Sequence, residues 1–166
     1  MIRRVAFNKA VTAGVAGASA WEVVVRLLGW FGFPVFDLVR VLGTMIWGAS
    51  APSWKWWPVG MAMHLIVGII WAIFYAYFFW SFFDLSPTVQ GLVFAILPAI
   101  LAGFIMVPQM DLMLDGQLPQ FKIFAIRIGV WGPISILVGH AVYGAVLGAI
   151  YVRPVGYRAG KKIIYG

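Results

Sequence analysis

Apolar residues form four long stretches along the chain, and most polar residues lie between and outside them. The stretches cover residues 10–33, 59–83, 89–107 and 129–152. A helix needs about 20 mostly apolar residues to cross the hydrocarbon layer of a bilayer, and each stretch is close to that length or longer. The pattern therefore predicts an all-α integral membrane protein, with four transmembrane helices in a single membrane domain over residues 1–166.

Two parts of the chain carry the same pattern of residues. Residues 64–75 and 140–151 both read H-x3-G-x6-Y and contain the two histidines of the protein. A Pro-x2-Asp-Leu motif begins at Pro34 and again at Pro108, at nearly the same spacing. Because the matches follow one another in the same order, they indicate the duplication of a two-span unit.

The duplication predicts how the two halves enter the membrane. Repeat one covers about 10–83 and repeat two about 88–152. Two spans in each repeat give both repeats the same orientation, as in parallel repeats related by an axis along the membrane normal. The segments 34–58 and 108–128 are then expected at the non-cytoplasmic interface, where tryptophan is favoured. The tryptophans of segment 34–58 that are expected at head-group level are Trp47, Trp54, Trp56 and Trp57.

Small residues recur every four positions on all four predicted spans. This spacing places them on one helical face, and small residues let membrane helices approach closely. We therefore expect a compact bundle, in which Pro98 bends the third span. The residues predicted to form the contact stripes are Ala10, Gly14 and Ala18, then His64, Gly68, Ala72 and Tyr75, then Gly91, Ala95, Ala99 and Gly103, and finally His140, Gly144, Gly148 and Tyr151.

Composition and charge support the membrane interpretation and add an orientation. The chain is 63% hydrophobic and 10% charged, against about 25% charged residues in soluble domains. Without cysteine, disulfides, thiolate metal sites and covalently attached haem are excluded. Basic residues are more frequent before the first span and in the tail 153–166 than in the segments expected on the other side. The positive-inside rule then places both termini in the cytoplasm of a prokaryotic cytoplasmic membrane, with anionic and bound lipids as partners rather than nucleic acid.

The two histidines are the first candidates for chemistry. Facing helical histidines can ligate haem b, so His64 and His140 are candidate cofactor-binding residues for haem or another pigment, or for a metal ion. Asp37 and Asp111 belong to the same two repeats and could orient the imidazoles. The structural alternative is that each imidazole bonds a backbone carbonyl or a tyrosine hydroxyl. The aspartates are themselves expected to cap short helices, and Asp115 is expected to begin a turn.

Glu22 and Arg26 are charged residues inside the first span. They are four residues apart, so they share a helical face in the favourable order for an ion pair. Intramembrane charges indicate function by default, and a proton-coupled transporter using Glu22 is one alternative. The guanidinium would hold the carboxylate ionised, which favours a structural or subunit-contact pair instead.

The run FPVFDLVRVLGTMIWG and the two His-x3-Gly helices together resemble a family of small, uncharacterised four-span prokaryotic membrane proteins. The resemblance implies a fold and a compartment but no activity, and Glu22 and Arg26 depart from it. Motifs of soluble enzymes, such as a Walker loop or HExxH, do not occur. We therefore expect a non-catalytic accessory subunit of a larger respiratory or photosynthetic membrane complex, bound to other integral membrane subunits. A haem-binding or pigment-binding protein is the alternative.

Overall fold

The computed structural model describes residues 5–80 and 85–151, together with the backbone of Val155–Arg158 and Lys161–Ile164. Residues 1–4, which include basic residues that precede the first predicted span, lie outside these ranges. The helices are α1 (Phe7–Trp30), α2 (Leu38–Trp47), α3 (Ser53–Phe74) with a π-helical end (Tyr75–Phe79), α4 (Pro87–Leu101) with a π-helical end (Ala102–Met106), α5 (Val107–Leu114), a 3₁₀ segment (Ile123–Ile128) and α6 (Trp131–Ile150).

Four helical stretches are long and apolar enough to cross a membrane, as the sequence predicts: Phe7–Trp30, Ser53–Phe79, Pro87–Leu114 and Trp131–Ile150. The second begins earlier than expected and includes Pro58, and the third continues through Pro108 to Leu114. Membrane helices tolerate proline where neighbouring helices and local π turns satisfy the freed carbonyls. The second predicted span therefore begins too late, next to Pro58, and the third ends too early, next to Pro108.

The contact stripes predicted from small residues lie inside the bundle. Every residue of the four stripes is buried. Helix α1 packs against α3 and α6, and α4 packs against α6. At the α1–α3 contact a Cβ atom on Gly14 would lie 2.8 Å from the carbonyl oxygen of Gly68. At the α4–α6 contact a Cβ atom on Gly91 would collide with the carbonyl oxygen of Gly144, so the backbones touch where glycine occurs.

Helix α2, in the segment 34–58 that the sequence predicts to lie at the interface, packs along the start of α3. A Cβ atom on Gly60 would collide with the carbonyl oxygen of Val39, and one on Gly43 with that of Trp56. One face of α2 is buried together with Phe36 and residues of α5 and α6. Trp54 is exposed. The glycine contacts thus make α2 and α3 a tight helical hairpin.

The two aspartates of the repeated motif have different roles. Asp37 caps α2, since its side chain accepts a hydrogen bond of 2.9 Å from the backbone N–H of Arg40. The prediction that Asp111 caps a helix is wrong, because it lies inside α5. Its two carboxylate oxygens accept bonds of 2.8 and 2.7 Å from the N–H groups of Phe121 and Lys122, which hold the following loop. The turn at Asp115 is confirmed by its left-handed conformation.

The basic C-terminal tail contains a short antiparallel pair of strands that the sequence analysis did not predict. Strand β1 (Val155–Arg158) pairs with β2 (Lys161–Ile164), with Val155 opposite Ile164. The remaining residues of the tail lie outside the described part of the chain.

We predict that Gly144→Ala lowers the stability of the bundle by about 1–3 kcal/mol, the usual cost of overpacking. The added methyl group would collide with the carbonyl oxygen of Gly91 and lie 2.5 Å from Cβ of Ala95. Thermal unfolding in detergent measures the effect. Ala141→Val, on the exposed face of the same helix, is the control, and equal midpoints for the two variants would contradict the close α4–α6 contact.

Candidate functional site

Both histidines are buried and contact the same tryptophan. The ring centroid of Trp21 lies 5.1 Å from that of His64 and 4.3 Å from that of His140. The indole fits against α6 at Gly139, where a Cβ atom would lie 2.5 Å from its Nε1 atom. Trp21 is thus the aromatic partner of both imidazoles, and α1, α3 and α6 each contribute one ring to this cluster.

His140 has the backbone hydrogen bond that the structural alternative requires. Its Nδ1 atom lies 2.8 Å from the carbonyl oxygen of Ile136, one turn earlier on α6. A carbonyl oxygen only accepts, so Nδ1 carries the proton and donates. In the neutral ring Nε2 is then an acceptor.

His64 differs, because its Nδ1 atom is buried without a hydrogen-bond partner. The nearest carboxylate oxygen is Oε2 of Glu22, 3.9 Å away, which is beyond hydrogen-bond length. Asp37 and Asp111, which could have oriented the imidazoles, bond other groups instead. Glu22 takes that place beside His64, and both oxygens of Asp111 bond the loop after α5.

Glu22 belongs to a chain of charged groups that runs from the histidine cluster toward the end of α1. The predicted ion pair is confirmed: Nε of Arg26 lies 2.5 Å from Oε1 of Glu22. The same guanidinium reaches Asp37, with Nη2 3.3 Å from Oδ1. Asp37 in turn caps α2, so the charges of α1 are tied to the start of the α2–α3 hairpin.

The ion pair borders an open groove on the side of the bundle. The side chain of Glu22 is only 9% exposed, whereas that of Arg26 is 41% exposed. The groove has a volume of about 630 Å³. The other residues that line it are Ser19, Val23, Leu27, Trp30, Trp57 and Met61.

A second, more enclosed cavity lies in the centre of the bundle beside the histidines. Its volume is about 280 Å³. Trp21, His64 and His140 line one part of it, and apolar residues of α2, α3, α4, α5 and α6 line the rest. The cavity therefore combines a large apolar wall with the ring nitrogens of two buried histidines.

Trp21 and Tyr143 are the site residues that the sequence analysis missed. The Tyr143 hydroxyl donates a 2.6 Å hydrogen bond to the carbonyl oxygen of Gly68 and so joins α6 to α3. The duplicated pattern could not reveal them, since the aligned positions hold Ala95 and Val67. The repeated tyrosines, by contrast, do meet: the rings of Tyr75 and Tyr151 lie 5.8 Å apart.

Within residues 5–80 and 85–151, no group of three His, Asp or Glu side chains is placed to hold a metal ion. The cavity is also smaller than the roughly 300–1,000 Å³ of sites for drug-sized ligands. The volume of the cavity is therefore too small to hold a haem group between the two histidines.

We predict that Arg26→Gln destabilises the protein more than the double change Glu22→Gln with Arg26→Gln. Alone, the first change leaves a buried carboxylate without its partner, which costs about 1–3 kcal/mol, whereas a neutral amide at position 22 removes the charge as well. The free energies of unfolding of these two variants, of Glu22→Gln and of the unaltered protein form a double-mutant cycle, which thermal unfolding measures. The same substitution at exposed Arg40 serves as control. If the stability losses of the two single variants add up to that of the double variant, the two charges do not interact, which would contradict the prediction.

Comparisons of the chain with models of protein families, with curated proteins and with solved structures found no match. The resemblance to small four-span proteins therefore stays a prediction. The function has to be argued from the geometry of the groove and the cavity.

Proposed function

We propose that the protein is a non-catalytic accessory subunit of a membrane complex and that it contacts its partner at the groove beside Glu22 and Arg26. The observation that carries this proposal is an ion pair on the lateral surface of a membrane-spanning helix, with the guanidinium 41% exposed. Lipid tails offer no hydrogen-bond acceptors to an exposed guanidinium. A polar group of a neighbouring protein helix would supply them.

The depth of the pair supports a protein contact. Arg26 lies one turn before the end of α1, which is about 6 Å along the helix axis, and Glu22 lies about 6 Å deeper. Arg26 is thus near the edge of the hydrocarbon layer, where long basic side chains can reach the interface. Because Asp37 and Glu22 both hold the guanidinium, it stays over the groove instead.

The surface around the pair has the residue types expected of an interface. Trp30 and Trp57 line the groove and are exposed. Aromatic residues, methionine and arginine are enriched at protein interfaces, and Met61 completes this set. The groove therefore offers one charged anchor among large apolar side chains.

The proposal includes the finer arrangement predicted from the sequence. Two parallel repeats insert with both termini in the cytoplasm of a prokaryotic cytoplasmic membrane, and the segments after α1 and after α5 face the other side. The glycine contacts of α1 with α3 and of α4 with α6 support the pairing of the two spans within each repeat. Membership of a respiratory or photosynthetic complex remains a prediction from the sequence.

A transport role for Glu22 has less support. A carboxylate that binds and releases a transported proton must be free to change its charge, whereas Glu22 is fixed by Arg26. The contact of Arg26 with Asp37 ties the pair further to the fold.

We predict that a photo-crosslinking residue at Val23 captures one protein of defined mass in native membranes. Val23 lines the groove and is 57% exposed. The control is Ile96, which is 58% exposed on α4 and does not line the groove. The band from Val23 is expected to disappear when Arg26→Gln is added. Lipid adducts alone at Val23, as at Ile96, would contradict the proposed contact.

A further inference from the structure

The cavity beside the histidines opens toward the lipid. Val67 of α3 and Ile105 and Met106 of the π segment after α4 line it and are also exposed on the side of the bundle. Among the described residues, α3 and α4 are not one of the closely packed helix pairs. A molecule dissolved in the bilayer can therefore reach the cavity between these two helices.

Aromatic residues close the same side of the bundle further along α3. Trp71 and Phe74 approach Phe94 of α4, with ring centroids 6.1 and 6.3 Å apart. The opening is thus confined to the stretch between Val67 and the π segment. A bound molecule would lie with its ring in the cavity and its chain among the lipids.

The walls of the cavity match an aromatic ring. Trp21, Trp71 and Tyr143 line it, and aromatic side chains pack favourably on aromatic ligands in offset or edge-to-face geometry. An apolar cavity of about 150 Å³ binds benzene. The cavity of about 280 Å³ accommodates one substituted ring, whereas it is too small for a macrocycle.

The two imidazoles determine which polar group the ring should carry. Nδ1 of His140 donates to Ile136, which leaves Nε2 as an acceptor. Nδ1 of His64 lies 3.9 Å from the Glu22 carboxylate and has no hydrogen-bond partner. Tyr143 does not compete for a ligand, because its hydroxyl is bonded to Gly68. The Nε2 acceptor of His140, beside a second buried imidazole in an otherwise apolar cavity, calls for a ligand that donates a hydrogen bond.

We propose that this cavity binds a membrane-soluble aromatic molecule through a phenolic hydroxyl that donates to a buried histidine. The ring carries an alkyl chain that leaves the cavity between Val67 and Ile105. Alkylphenols and alkylhydroquinones share this chemistry. The site is separate from the groove at Glu22 and Arg26, so it does not depend on the proposed subunit contact.

Isothermal titration calorimetry of the purified full-length protein in detergent tests the proposal. The probes are para-nonylphenol, nonylhydroquinone and para-nonylanisole, the last of which has the same ring and chain but no hydroxyl donor. Saturable binding of the phenol is expected. The affinity for the anisole should be about tenfold lower, because the anisole has no hydroxyl to donate to the buried histidine acceptor. Tighter binding of the hydroquinone would assign its second hydroxyl to the second imidazole.

Variants at the opening separate binding in the cavity from partition into the micelle. Val67→Phe narrows the opening and is expected to abolish binding of the phenol, since Val67 is 39% exposed and lines the cavity. Ile66→Phe, at a 56% exposed neighbour outside the cavity, should leave binding unchanged. Both sites are surface positions, so both variants are expected to fold. Equal heats for phenol and anisole, or equal binding by the two variants, would overturn the proposal.

Discussion

Close contact between helix backbones is the constraint on which this structure depends. Inside a bilayer, lipid tails are as apolar as the side chains, so helices associate through packing and hydrogen bonds. Gly14 with Gly68 and Gly91 with Gly144 bring the backbones together, and the Tyr143 hydroxyl adds a bond to the same region. These contacts fix α1 against α3 and α4 against α6, while α1 also packs on α6.

The same constraint explains why one side of the bundle is open. Four spanning helices could form four tight pairs, yet α3 and α4 lack the glycine contacts that join the others. Large side chains line the gap instead, and the cavity lies behind them. Packing that is tight on three sides therefore produces a lipid-facing opening on the fourth, with both histidines behind it.

Buried polar groups follow a second rule, which is that each must find a partner inside the membrane. His140 uses the carbonyl of Ile136, and Glu22 uses Arg26. His64 departs from this rule, since its Nδ1 atom has no hydrogen-bond partner. The structure thus places the His64 imidazole between the Glu22 carboxylate, which its Nδ1 atom faces, and the cavity that the ring lines.

Much of the fold was predictable because it depends on local spacing. The spans, the buried stripes, the Asp37 cap and the Glu22–Arg26 pair all arise within one helix or at its end. Contacts between distant residues were not predictable, such as Trp21 with both histidines, or Asp111 with the loop ten residues later. The duplicated pattern was also misleading at the aspartates, because the same motif caps a helix in one half and lies within a helix in the other.

A crystal structure grown in a lipid phase that contains a bromine-labelled acyl chain tests whether the gap between α3 and α4 is open to lipid. The contacts of α1 with α3, of α1 with α6 and of α4 with α6 leave the side between α3 and α4 open. Anomalous scattering from bromine should therefore appear between Val67 and Ile105, at the opening of the cavity that the histidines line. Side chains of α3 and α4 meeting across that gap, with no bromine signal behind them, would contradict the account.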